Sequence, residues 1–192
     1  MLFRSHKRTL LVDTGTDLPA VLGIREADRP GLADYLTDTN ITLADIVTPV
    51  AENLDLITRG NQPAEYTAAN YGLLTGGLGH YDTVIIDAAP DAHEWVRHAD
   101  TSVLVTRPCY LALRHATGQR RPDHLVVITE PGRALDTGDI EAVTGTPISA
   151  VIGHDPHIAR AVDAGTLTAR LPRSLARALA PLAATITNGS TR

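Results

Sequence analysis

Short apolar runs alternate along this chain with stretches in which apolar positions recur every three or four residues. The runs at 9–12, 54–58, 83–87, 102–106, 124–129 and 148–152 are almost continuously apolar. Strands covered on both faces read this way. Between them, helical spacing predicts helices over 31–36, 43–46, 64–77, 93–98, 110–117, 137–143, 157–164 and 174–187. Strands alternating with helices predict an α/β protein with a doubly wound, mainly parallel sheet. Ligands on such sheets bind beyond the C-terminal ends of the strands. The tips to weigh are therefore Asp13, Arg59, Asp87, Arg107, Glu130 and Gly153. Gly and Pro punctuate the loops without building a linker, so residues 1–188 are expected to form a single domain and 189–192 a frayed tail.

Composition narrows this picture. The chain's 192 residues are enough for one sizeable core, and 43% hydrophobic with 20% charged residues is ordinary for a globular protein. A net charge of -5 supplies no overall attraction to nucleic acid, so autonomous nucleic-acid binding is not expected. The single cysteine, Cys109, excludes an internal disulfide and a multi-cysteine metal site. No apolar run reaches membrane-spanning length. The basic start MLFRSHKR lacks a signal-peptide apolar core, because Asp13 interrupts the next apolar stretch, and a cytoplasmic location is expected. Of the 17 basic residues, Lys7 is the only lysine.

The strongest motif is YDTVIIDAAPD, residues 81–91. A strand ends in Asp87, followed by small residues and Pro90. An acid there either holds a Mg²⁺-bound water beside a nucleotide phosphate or caps the next turn. Asp13, at the tip of TLLVD, either faces the same metal site or caps the turn before Leu18; Asp17 and Pro19 have the pattern of a helix start. A phosphate-binding loop needs G-x-x-x-x-G-K-[ST], with backbone amides and a lysine around the phosphates. The 192 residues contain no such motif, and no glycine precedes Lys7. The glycine-rich LTGGLGHYD precedes a strand and fits a helix end. In VIGHDPHIARAVDAG, Asp155 and Pro156 read as a helix cap and first helical residue, beside which a nucleotide base could also rest. The eight histidines show no metal-ligand spacing, and no G-x-S-x-G elbow is present. Leu171, Leu175, Leu179, Leu182 and Ile186 mark an apolar helix face with arginines on the others. Such a helix packs on the sheet or lies on an anionic membrane, and Pro181 interrupts it; membrane contact is not the favoured reading. Arg59 and Arg107, at strand tips, either face an anionic ligand or form surface salt bridges.

Taken together, KRTLLVDTGTDLPAVLGI, GLADYL with TLADIVTPVAENLDLITRGNQPAE, YDTVIIDAAP, ADTSVLVTRPCYLALRHA and HDPHIARAVDAG resemble, in that order, the ParA/MinD (SIMIBI) family of P-loop ATPases. The likeness runs over nearly the whole chain and begins after the point where the family has its first strand, P-loop and first helix, a unit of about 30 residues. It implies a P-loop NTPase fold without that unit. It implies that Asp87 corresponds to the Walker B aspartate, that Asp13 and Asp87 line a Mg²⁺ and nucleotide site, and that His154, Asp155 and Pro156 form a loop on the adenine side. The family's second acid, two places after the one matching Asp13, is Gly15 here, and its adenine-reading asparagine is replaced by ITEPGR.

The missing strand is central in the family's sheet, and its loss would leave two ladders of backbone groups to be satisfied. The sheet closes up, a partner supplies a strand, or a segment upstream does. The resemblance implies a degenerate ParA/MinD-like protein that does not hydrolyse ATP and acts through a protein partner or a homodimer. Its role would be to position or partition chromosome, plasmid, septum or pilus machinery. One alternative is an ATPase using ATP and Mg²⁺ whose Walker A segment is missing from this chain; another is a membrane-associated interaction module. If the chain is an enzyme, it is an ATPase.

Overall fold

The apolar runs become strands, and they pair as two separate sheets. The computed structural model describes residues 7–25, 29–117 and 120–189. The chain packs as two compact units, one comprising Met1–His98 with Ala161–Leu171 and the other Ala99–Arg160 with Pro172–Arg192.

In the first unit, β1 (Thr9–Asp13) lies between β3 (Leu54–Ile57) and β4 (Thr83–Asp87), parallel to both. A strand not expected from the sequence, β2 (Val47–Ala51), pairs antiparallel with β3 at the sheet edge, giving the order β2-β3-β1-β4. Pro49 has no N–H to donate, which an edge strand tolerates, and the register slips between Pro49 and Ala51. The helices are α1 (Leu18–Val21), α2 (Leu32–Thr37), α3 (Leu43–Ile46), α4 (Ala68–Gly76) and α5 (His93–Val96). The side chains of Leu10 and Val12 point to one face of β1 and are fully buried with Leu32, Ile46, Ile57, Leu74 and Trp95. Trp95 meets Tyr66 edge-on at 5.0 Å between ring centroids, and its indole N–H donates to the Thr67 carbonyl at 2.9 Å. Trp95 is among the largest fully buried side chains of the chain.

In the second unit, β5 (Val103–Thr106), β6 (His124–Ile128) and β7 (Ile148–Ile152) form a parallel sheet in that order. The helices after these strands are α6 (Tyr110–Ala116), α7 (Thr137–Thr144), α8 (Pro156–Asp163), whose residues from Ala161 on belong to the first unit, and α9 (Arg173–Gly189). Asp136 caps α7 by accepting the Asp139 N–H at 3.1 Å, and Gly145, at φ +66°, ends it. The apolar stripe of α9 packs on its own sheet: Leu179, Leu182 and Ile186 lie against Val126, Ala150 and Ile152. Pro181 sits within α9, which continues through it. No helix among the described residues is long and apolar enough to cross a membrane. The expected tail, from residue 190 on, lies outside the described residues.

The expected single sheet is thus corrected to one of four strands and one of three. Among the described residues, β4 pairs only with β1, and β5 only with β6. Both edge strands expose apolar side chains: Ile85 is 51% exposed and Val105 55%. A hollow of about 410 Å³ opens beside β5, lined by Val105, Arg107, Cys109 and Ala112 among others.

Candidate functional site

The parallel register of β1 and β4 sets Asp13 directly opposite Asp87, so the two predicted acids share one end of the sheet. Their environments differ. Asp13 is 1% exposed, and each of its carboxylate oxygens accepts a backbone N–H, from Gly15 at 2.9 Å and Leu18 at 3.2 Å. It therefore closes the turn into α1. Asp17, expected to cap that helix with its side chain, occupies the cap position without making the bond. The residue two places on, Pro19, has no N–H to give it. The Asp87 side chain stands on the exposed face of β4.

Burial raises the Asp13 carboxyl above its ordinary pKa, against the pull of its two backbone bonds, and Asp87 and Asp17 add to the rise. Asp87 is raised as well, by loss of solvent and then by Asp17. Among the described residues, no three acidic, histidine or cysteine side chains gather closely enough to hold a metal ion.

Thr14 joins the two strand ends. Its hydroxyl donates to the Asp87 carbonyl at 2.9 Å and accepts the Ala89 N–H at 2.8 Å, while its own N–H reaches the same Asp87 carbonyl. Tyr66 donates its hydroxyl to the Thr14 carbonyl at 3.1 Å. Sequence reasoning missed both residues. A threonine after a strand-end acid carries no signal of its own, and Tyr66 comes from 52 residues away.

The remaining predicted residues belong to the second unit. Asp155 accepts the His157 N–H at 2.8 Å and the Ser174 hydroxyl at 2.5 Å, which hold its carboxyl below the ordinary range. It thus caps α8 and ties it to the start of α9. His154 and Pro156 are exposed beside it. Arg107 forms an ion pair with Glu130 at 3.2 Å, which bears out the surface salt bridge over the anionic ligand. Arg59 forms none among the described residues.

No protein-family model matches the chain, and no curated protein matches it in sequence. Solved structures do match it. The septum site-determining protein MinD of Pyrococcus horikoshii, complexed with Mg-ADP, superposes at a TM-score of 0.73 and 19% identity, over 96% of this chain and 85% of that one. MinD in the MinC:MinD cell division complex of Aquifex aeolicus gives 0.73 at 18% identity, over 95% and 84%. A ParA family ATPase from Chlorobium tepidum gives 0.67 at 20%, over 92% and 84%. The fold is that of the ParA/MinD ATPases. At these identities the likeness carries the fold and no more.

Set against the ParA/MinD fold, the donor chemistry at the Asp13–Asp87 end is lopsided. On the flank toward β4 it presents the Asp87 carboxylate, while both Asp13 oxygens and the Thr14 hydroxyl are engaged by backbone groups. Lys7, the one lysine, precedes β1 at the opposite end of that strand from Asp13. The arginine nearest in the sheet, Arg59, follows β3, across β1 from β4. Asp87 is suited to a hydrated divalent cation, but the described residues on the β4 flank do not fit a triphosphate, which needs cationic and backbone N–H donors around its oxygens.

Proposed function

We propose that this ParA/MinD-fold protein does not hydrolyse ATP and works through a protein partner in positioning or partitioning cellular cargo, whether chromosome, plasmid, septum or pilus machinery. The observation that carries this reading is the absence from the 192 residues of G-x-x-x-x-G-K-[ST], together with a single lysine at the wrong end of β1. Gly15, in place of the second acid that the resemblance leads one to expect, supports it. The edges of β4, with Ile85 exposed, and of β5, with Val103 and Val105 exposed, are unpaired among the described residues, and each is one on which a partner strand gains backbone hydrogen bonds and apolar contact. The test is ATP turnover by the purified chain with Mg²⁺. No phosphate release above buffer is expected; release abolished by Asp87→Ala would overturn the reading.

The same free edge of β4 also supports the second reading, an ATPase whose Walker A strand, loop and helix lie outside this chain. Intact-mass measurement of the protein from its own cells separates the two. A mass of 20.4 kDa favours the first, and one larger by about 3 kDa, one strand–loop–helix unit, favours the second.

A further inference from the structure

On the flank of β1 away from β4, residues at the ends of β1 and β3, together with Ile24, Arg25 and Arg29, line a cavity of about 220 Å³. Its lining includes three arginines, Arg25, Arg29 and Arg59, together with Thr58, Asn61 and Asp13. Among the described residues, the ion pairs of the molecule involve Arg8, Arg97, His98, Arg107, Arg120 and Arg133, and none of these three.

Two of the arginines are held in place by neutral groups. Arg29 donates through Nη1 to the Thr48 hydroxyl at 3.0 Å and through Nη2 to the carbonyls of Asp45 at 2.6 Å and Val47 at 3.4 Å. These bonds fix its direction and leave its charge in place. Asp45 feels that charge, but its carboxylate is engaged by Thr42. Arg59 is fixed through its backbone. Its carbonyl accepts the Ala33 N–H at 2.8 Å, and the Thr58 carbonyl accepts the Leu32 N–H at 2.8 Å. Gly60, at φ +81°, then turns the chain directly against Gly31. The Arg59 guanidinium reaches the Tyr66 hydroxyl, yet its Nε is buried and has no hydrogen-bond partner. That Nε is closed to solvent, so an anion in the cavity meets Arg59 only through its terminal nitrogens.

Three guanidinium charges around one small hollow suit a compact oxyanion with two charges and several oxygens. The volume lies below the roughly 300–1,000 Å³ of pockets for drug-sized ligands, so the occupant is smaller than a nucleoside triphosphate. Asp13 repels an anion from its own wall and has both oxygens engaged, which directs the ligand to the arginine side. We propose that this cavity binds a small phosphate monoester, with Arg59 donating through a terminal nitrogen and the charges of Arg25 and Arg29 on the same lining. The inference does not rest on the partner-binding reading, since the free edge of β4 lies across β1 from this cavity.

The experiment is calorimetric titration of the whole chain with inorganic phosphate, ribose 5-phosphate, succinate and ATP. Saturable binding of both phosphates is expected, with ribose 5-phosphate the tighter and succinate weaker by about tenfold or more. Arg59→Gln should weaken phosphate binding by about tenfold or more, while Arg114→Gln, an exposed arginine of the other unit, leaves it unchanged. Should Arg59→Gln fail to fold, Arg25→Gln serves in its place, because Arg25 is exposed and lines the same cavity. The proposal is overturned by any of three outcomes: no saturable phosphate binding to the parent chain, binding untouched by the cavity variants, or equal affinity for succinate. ATP binding tighter than ribose 5-phosphate and lost in Asp87→Ala would overturn it too, by placing the anion site at β4.

Discussion

Thr14 and Asp87 face each other across two strand ends and respond to substitution in opposite ways. Thr14 is 1% exposed, and its hydroxyl joins β1 to the chain after β4. Thr14→Val keeps the shape, leaves the Ala89 N–H without its acceptor, and should cost about 1–3 kcal/mol in urea unfolding. Among the described residues, Asp87 makes no comparable bond through its side chain, and it sits near Asp13 and Asp17. Its carboxyl, like that of Asp13, has a folded-state pKa above the ordinary 3.8. Folding therefore takes up protons at this end. The associated stability is complete below the ordinary value and is lost as pH rises through the raised one, so at neutral pH the two charges oppose folding. Asp87→Asn is expected to raise neutral-pH stability slightly, by less than about 1 kcal/mol, and to flatten the pH dependence of unfolding on its acid side. A clear loss of stability at neutral pH would show instead that the carboxylate holds something the fold needs.

Elements were legible in the sequence where burial dictated them. All six runs at 9–12, 54–58, 83–87, 102–106, 124–129 and 148–152 are strands, with ends shifted by at most a residue or so. β2 was not legible, because VTPVA contains a proline and neither alternates nor runs apolar; its place comes from β3 alongside it. The candidate site divides the same way. Asp13 and Asp87 are readable as strand tips, but Arg59, Arg29 and Tyr66 meet only through tertiary packing, and no local spacing announces that. The turn at Gly60 is similar. A Cβ there would come within 2.3 Å of Asp34 Oδ2, and φ is +81°. Gly60→Ala should lower stability by about 1–3 kcal/mol and, by moving Arg59, weaken phosphate binding. In α9 the opposite is expected. Pro181 is exposed within the helix, and Pro181→Ala restores a donor there. A gain of up to about 3 kcal/mol in the unfolding of that unit, followed by circular dichroism, checks it.

Among the described residues, the apolar edges of β4 and β5 are left open. Such edges pair with whatever strand is offered, and natural proteins blunt them with charge. Val105→Lys, on an exposed position of β5, should leave the unfolding midpoint within about 0.5 kcal/mol of the parent and reduce self-association and partner capture together; unchanged capture would locate the partner surface elsewhere. A different feature bears on how the first unit is assembled. Residues 161–171 belong to it although the chain has by then built most of the second. Gly165 lies directly against Gly23, both at positive φ, and the Thr168 hydroxyl donates to the Leu22 carbonyl at 3.3 Å across 146 residues. At about 5–20 residues per second, the ribosome emits Leu22 roughly 7–30 s before its partner. For that interval the turn after α1 stands uncovered on the nascent chain. It is the stretch a protease or chaperone would meet, and the last part of the first unit to close.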